Sequence, residues 1–175
     1  MDDRSRFESL VRPVLADLLR FARRLARDPV AAEDLVQQAL LRGLAHLSQL
    51  QDDRAFKVWQ SRVLYRTFLD ARDRRETMWI EDDAAGGTVV PFERPGPEQI
   101  TAHRQLGDAI ARALDALPAD QRDAVWLVDG QGFKFGEAAE VLGVAPGTVA
   151  SRVARGRVAL RAQLAGVAAD EGVGR

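Results

Sequence analysis

The chain contains no cysteine and few of the residues that build catalytic or metal sites. Without cysteine, neither a disulfide framework nor a thiolate metal site can form. The two histidines, His46 and His103, are isolated in the sequence, so we expect surface residues rather than ligands. No glycine-rich phosphate loop and no pairing of a nucleophile with a base stands out. The sequence predicts a non-enzymatic protein without a metal, a cofactor or a small-molecule ligand.

Long apolar runs are also missing. No stretch of about 18 apolar residues occurs, and the acidic, arginine-bearing start MDDRSRFE does not have the pattern of a signal peptide. We therefore expect a soluble, cytoplasmic protein with no membrane insertion. Aromatic residues make up only 6% of the 175 residues, but the hydrophobic fraction of 46% is sufficient for packed cores. The frequent Ala, Leu and Arg residues favour helices.

Neither sign of charge dominates, since 25 Lys and Arg residues face 26 Asp and Glu residues and the formal net charge is −1. Any affinity for nucleic acid must therefore come from local basic patches. One such patch lies near the C-terminal end, where no acidic residue occurs between Glu140 and Asp170.

This basic stretch has the pattern of a helix-turn-helix. From Lys134 to Leu142, the spacing i, i+3, i+4, i+7 predicts one buried helical face made of Phe135, Ala138, Ala139 and Leu142. Gly143 suits a left-handed helix end, and Pro146 suits the first turn of the next helix.

The second helix of this motif is predicted over residues 146–164. Its core-facing residues are expected to be Val149, Val153, Ala159 or Leu160, and Leu164. The outer face would carry Ser151, Arg152, Arg155, Gly156, Arg157 and Arg161. Small residues and arginine side chains on one helix face fit a DNA major groove, and a merely solvated basic face is the alternative.

The remaining patterns predict an all-α protein with two small helical domains joined by a flexible linker. Residues 1–76 would form a three-helix bundle, with a break at Pro13, an Asp28 cap before the second helix and a third helix of about 22 residues starting near Phe56. A polar gap at 48–53 precedes that third helix, along which Phe56, Trp59, Val63, Tyr65 or Arg66, and Leu69 or Asp70 continue the apolar stripe. Residues 77–97 would be the linker, 98–165 a four-helix domain ending in the helix-turn-helix, and 166–175 a frayed tail. Within the second domain, helices are expected at 98–116 and 119–129.

Three blocks in this order resemble the extracytoplasmic-function (ECF) sigma factors of bacteria, which belong to the sigma-70 family. The blocks are AAEDLVQQALLRGL at 31–44, FKVWQSRVLYRTFLDARDRR at 56–75, and LPADQRDAVWLVDGQGFKFGEAAEVLGVAPGTVASRVARGRVAL at 117–160. The resemblance implies an initiation factor that binds core RNA polymerase and gives it promoter specificity. Its two halves would be a region 2-like and a region 4-like domain.

The resemblance also implies three binding surfaces. The polymerase-binding face would consist of Asp34, Gln37, Gln38, Leu41 and Arg42. The −10 element would be opened by the loop 48–54 and bound by Arg54, Lys57, Arg62, Arg66, Asp70, Arg74 and Arg75. The −35 element would be read by Thr148, Ser151, Arg152, Arg155 and Arg157, with phosphate contacts from Lys134 and Arg122. Arg66 departs from the common family residue at a position that bears on the preferred −10 bases. Ala150 and Ala154 also depart from the family pattern and shrink the −35 reading surface, which favours recognition of the DNA backbone and its shape.

Further partners and alternatives follow from the same comparison. The family implies an anti-sigma factor as controller, besides core RNA polymerase and promoter DNA. Glu81, Asp82 and Asp83 in the linker would either mimic nucleic-acid charge inside the polymerase or remain solvated. A free-standing helix-turn-helix regulator would instead bind duplex DNA by itself, and a sigma-like decoy would bind only the anti-sigma factor.

Overall fold

The computed structural model describes residues 2–81 and 102–170, and within these two ranges the regular elements are helices and helical turns, with no strand. The predicted all-α class is confirmed. The eight α-helices of the described residues are α1 Asp3–Val11, α2 Leu15–Ala26, α3 Pro29–Ala45, α4 Phe56–Glu81, α5 Ala102–Asp115, α6 Ala119–Val125, α7 Phe135–Leu142 and α8 Pro146–Asp170. They divide into two compact units, one built from α1 to α4 and the other from α5, α6 and α8 with the greater part of α7.

The helix boundaries of the first unit follow the predicted helix break and the predicted cap. The chain leaves α1 after Val11 and enters α2 at Leu15, so the break expected at Pro13 is confirmed. The Asp28 carboxylate accepts a hydrogen bond of 2.7 Å from the Ala31 N–H, and Pro29 occupies the first helical turn. This cap satisfies one of the free amides at the start of α3.

The connection between α3 and α4 is not simply polar, as the gap at 48–53 had suggested. Two short 3₁₀ turns form, Leu47–Gln49 and Asp53–Ala55, and Leu50 between them is buried. Leu47 and Leu50 pack with Phe7 and Phe56, whose rings meet edge to face at 5.6 Å. Burial of Leu47 and Leu50 therefore fixes this loop, residues 46–55, to the core of the first unit.

Helix α4 differs from the prediction in both length and buried face. It ends at Glu81, so the first five residues of the predicted linker are helical. Phe56, Gln60, Ser61, Leu64 and Thr67 are its buried side chains, whereas Tyr65 and Leu69 are half-buried and Arg66 and Asp70 are exposed. The predicted stripe is confirmed at Phe56, but the deepest part of the face beyond it includes a polar residue: Gln60 is buried and its Nε2 donates to the Ala39 carbonyl at 2.8 Å.

In the second unit, the predicted helix at 119–129 ends early. Helix α6 stops at Val125 and continues as one π-helical turn, Trp126–Gly130. Val125 packs with Leu114 and Leu117, and Ala159 and Leu160 of α8 pack against this cluster. A wider turn of this kind displaces the following residues from the α-helical register.

Helix α7 and its exit largely match the predicted first half of the motif. Ala138, Ala139 and Leu142 are buried, and Gly143 ends the helix in the left-handed conformation with φ of 68°. Phe135 was predicted to be buried but is 42% exposed, since it is the first residue of α7 and Phe133, just before the helix, is buried instead.

Helix α8 extends further than predicted and packs more closely. It continues to Asp170, so the tail expected at 166–175 is helical as far as residue 170. Gly156 was placed on the outer face but is buried, because a Cβ there would lie 2.6 Å from Val125 Cγ2. The predicted linker beyond Glu81, including Asp82 and Asp83, the predicted helix start at residue 98 and the last five residues lie outside the described residues.

Candidate nucleic-acid and polymerase-binding surfaces

Helix α8 presents one apolar and one small, polar face. Val149 and Val153 point inward and are buried, as predicted, while Ala150, Ser151, Ala154 and Arg155 are exposed. The turn before the helix is closed by backbone hydrogen bonds from Val144 N–H to the Ala139 carbonyl and from Thr148 N–H to the Ala145 carbonyl. An exposed helix face with small side chains allows close approach to another surface.

The three predicted arginines of α8 have different environments. Arg155 is exposed and makes no hydrogen bond or ion pair with any residue that the structure describes. Arg152 Nε lies 3.2 Å from Asp120 Oδ2, and its side chain is only 23% exposed. Arg157 pairs with Asp129 through two bonds, Nε to Oδ2 at 3.0 Å and one terminal nitrogen to Oδ1 at 2.6 Å. The hydrogen bond to that carboxylate raises the pKa of Arg157 above its ordinary value.

The other predicted residues of this surface are divided between exposed and buried positions. Lys134 is exposed at the start of α7, where its backbone N–H donates to the Glu137 carboxylate at 2.8 Å. Thr148 is half-buried, and the Ser151 hydroxyl donates to its carbonyl at 2.9 Å. Arg122 was predicted to contact phosphate, but its position contradicts that prediction. The residue is only 8% exposed, and its Nε lies 3.4 Å from Asp123 Oδ1. A buried, paired guanidinium has no access to a phosphate.

Helix α4 carries an exposed basic face in the first unit. Arg62, Arg66 and Arg75 are exposed and make no hydrogen bond or ion pair within the part of the chain that the structure describes. Arg74 Nε donates to the Asp70 carbonyl at 3.0 Å, which leaves its terminal nitrogens available. Arg54 is exposed in the second 3₁₀ turn, and Lys57 is half-buried with its amine 2.8 Å from Asp17.

An ion pair joins two surfaces that the sequence had treated as separate. Arg42, predicted to face the polymerase, donates to Asp70, predicted to lie on the DNA-binding face, at 2.7 Å. The same nitrogen lies 3.3 Å from the Thr67 hydroxyl. Both charges of this pair are at least partly committed to holding α3 and α4 together.

The remaining residues of the predicted polymerase face are open. Asp34, Gln37 and Gln38 are exposed on α3, and Leu41 is 69% exposed. An exposed leucine beside polar side chains can be buried by a partner, and burial of a leucine side chain is worth about 1.5–3 kcal/mol.

Several residues that shape these surfaces could not be identified from the sequence. Asp120 and Asp129 pair with the α8 arginines, and Arg6 of α1 donates to Asp53 in the loop before α4, with a shortest distance of 2.5 Å. The partners of Arg6 and Arg157 lie 47 and 28 positions away, and nothing in local spacing relates such residues.

Within 2–81 and 102–170, no group of three or more His, Asp or Glu side chains is arranged to hold a metal ion. None of the helices in these ranges combines the length and hydropathy that crossing a membrane would require.

Comparison with known sequences and structures gives consistent matches. The family model described as Sigma-70 region 2 matches residues 10–77, and the model described as Sigma-70, region 4 matches residues 107–160. The chain is 38% identical over 159 residues to the ECF RNA polymerase sigma factor SigE of Mycolicibacterium smegmatis, covering 91% of this chain and 62% of SigE. It is 40% identical over 148 residues to EcfG of Rhodopseudomonas palustris, covering 84% of this chain and 78% of EcfG. The chain therefore spans less than two thirds of SigE.

Solved structures resemble the fold as well. The sigma factor RpoE of Bartonella quintana, in complex with the anti-sigma factor NepR, matches with a TM-score of 0.75 and 29% identity, covering 90% of this chain and 96% of RpoE. CnrH, in complex with the cytosolic domain of CnrY, matches in fold with a TM-score of 0.66 and 24% identity, covering 93% of this chain and 90% of CnrH.

The helix-turn-helix and the basic helix of the other unit define a helical DNA-binding protein. The two family models and the identity to EcfG give the family: the chain belongs to the ECF RNA polymerase sigma factors of the sigma-70 family. Proteins of this family are transcription initiation factors.

Proposed function

We propose that the chain binds core RNA polymerase and directs it to promoters, with no catalysis of its own. The observation that carries the proposal is the pair of exposed arginine-bearing helix faces, α4 in one unit and α8 in the other, in a chain that matches sigma-70 regions 2 and 4. A protein with this role works in the cytoplasm, where the polymerase and the DNA are.

The C-terminal unit, with predicted limits 98–165, takes the −35 element in this proposal. Arg155 is the main candidate for a base or phosphate contact because it is exposed and unpaired among the described residues. Thr148, Ser151 and Lys134 are candidates for additional contacts to the duplex. Ala150 and Ala154 leave a small reading surface, which favours recognition through the DNA backbone and its shape.

The N-terminal unit, with predicted limits 1–76, takes the −10 element. Opening a duplex requires a basic surface that holds the displaced strand and a loop that receives an unstacked base. The exposed side of α4 supplies Arg62, Arg66, Arg74 and Arg75, and the anchored loop before it supplies exposed Ser48, Gln49 and Arg54.

The exposed side of α3 takes the polymerase. Leu41 would insert into an apolar site, and Asp34, Gln37 and Gln38 would hydrogen-bond around it. Arg42 would contribute through its ion pair with Asp70, because this pair joins the polymerase-binding face of α3 to the strand-binding face of α4.

An anti-sigma factor is the controlling partner in this proposal. RpoE of Bartonella quintana was solved with the anti-sigma factor NepR, and CnrH with the cytosolic domain of CnrY. We infer that a protein of the same kind covers the polymerase-facing surface of this chain.

Co-purification of the chain with RNA polymerase, followed by mapping of transcript starts that depend on it, tests the proposal. Leu41→Ala should lower recovery of polymerase about tenfold or more, because burying a leucine side chain against a partner is worth about 1.5–3 kcal/mol. Leu15→Ala is the matched control, since Leu15 is the same residue type in the same unit and is 42% exposed, but it lies at the start of α2 and not on the proposed face of α3. Equal recovery with both variants would contradict the proposed face, and an absence of dependent starts would contradict the function.

A free-standing regulator would give a different result. It would shift a duplex operator in a gel without polymerase. We expect specific binding to require the polymerase.

A further inference from the structure

The acidic side chains that hold the α8 arginines are not explained by DNA binding alone. Three contacts occur in the same order along the two elements: Asp120 with Arg152, Val125 with Gly156, and Asp129 with Arg157. The central contact is a close approach, since a Cβ at position 156 would lie 2.6 Å from Val125 Cγ2. The backbones are thus close enough for the shorter Asp side chains to reach across on both sides.

The π-helical turn holds Asp129 in its place. The Gln131 N–H donates to the Trp126 carbonyl at 2.9 Å, and the Phe133 N–H donates to the Leu127 carbonyl at 3.0 Å. Gly130 lies against the Trp126 ring, where a Cβ would be 3.0 Å from Cε3. Asp129 is therefore presented to α8 by a backbone that is itself fixed.

These pairs change how α8 attracts DNA. Non-specific affinity for a duplex comes from cations that neutralise phosphates and release counterions. Arg152 and Arg157 already have carboxylate partners, and Arg157 has a two-bond geometry that matches a carboxylate as well as a phosphate. Only Arg155 of these three is unpaired among the described residues.

We propose that Asp120 and Asp129 are specificity-determining residues, which hold Arg152 and Arg157 along α6 and its π turn and so suppress sequence-independent binding. The remaining contacts then depend on Arg155 and on the small polar side chains beside it. This inference rests on the proposed function, since it concerns the surface that would read the −35 element.

The test measures binding of the full chain to a fluorescent duplex of random sequence over a series of NaCl concentrations. Asp120→Asn combined with Asp129→Asn should bind more tightly at 50 mM NaCl. Each freed arginine that takes a phosphate should steepen the slope of log K against log[NaCl] by about 0.9. The loss of affinity between 50 and 200 mM NaCl should then grow about threefold for each such arginine.

Two controls separate this mechanism from a simple change in net charge. Glu140→Gln removes one negative charge at an exposed position of α7 that pairs with no described residue. It should leave the salt slope unchanged. Adding Arg152→Gln and Arg157→Gln to the double aspartate variant should abolish its gain. Thermal unfolding checks that the variants fold, as we expect since neither pair is fully buried.

The double aspartate variant would overturn the inference if its slope matched that of Glu140→Gln, or if the gain survived loss of both arginines. Polymerase recovery and dependent transcript starts with the unaltered chain are read separately. If those are positive while the slope does not change, the proposed function holds and only the role of Asp120 and Asp129 fails.

Discussion

The arginines of α8 differ in exposure and ion pairing, and so in their availability to DNA, although the sequence pattern does not distinguish them. Arg155 has an exposed, unpaired side chain among the described residues, Arg152 and Arg157 are paired, and Arg122 on α6 is buried. The sequence predicted which helix carries the positive charge. It could not predict the partners, because an ion pair between distant elements depends on how the helices cross and not on spacing within one helix.

Arg155→Ala is the residue-scale prediction. Its loss should cost about 1–3 kcal/mol in binding at the −35 element if the side chain contacts a base, with relaxed sequence preference at that position. The measurement is the affinity of the polymerase complex for promoter fragments mutated one base pair at a time. Arg112→Ala is the control, since Arg112 is exposed on α5 and removes the same charge from the same unit. Equal losses in the two variants would remove Arg155 from the recognition surface.

At the scale of elements, boundaries set by local chemistry could be predicted, whereas those set by packing could not. The Asp28 cap with Pro29, the break at Pro13 and the left-handed Gly143 all depend on one to three residues. The π turn after α6 and the burial of Gln60 depend on neighbouring helices. Apolar periodicity does not register a buried amide that satisfies a carbonyl, as Gln60 does with Ala39.

The burial of Gly156 also depends on a neighbouring helix, so the sequence pattern did not predict it. The prediction at the scale of elements concerns this residue. Gly156→Ala should destabilise the protein by about 1–3 kcal/mol, because the added methyl group overlaps buried Val125 and the helix-propensity gain of about 1 kcal/mol does not offset overpacking. Thermal or denaturant unfolding measures the change.

Gly147→Ala provides the control within the same helix. Gly147 is exposed, and a Cβ there meets nothing within 4 Å, so the substitution should be neutral or slightly stabilising. A stable Gly156→Ala variant would show that α8 does not depend on its close approach to α6.

For the whole molecule, a net charge of −1 gives no general attraction to DNA. Specific binding must come from two local surfaces that act together. Carried by one chain and held by one polymerase, each half would raise the effective concentration of the other at the promoter. We therefore expect each half alone to bind DNA weakly.

Transcription in vitro from core RNA polymerase, with and without this chain, tests that claim most directly. A library of promoter fragments serves as template, and the starts are mapped by sequencing. We predict a set of start sites that require the chain and share two upstream elements, and these starts should be lost when either element is scrambled. Transcription that is unchanged by the chain, or starts that need only one of the two elements, would contradict the account.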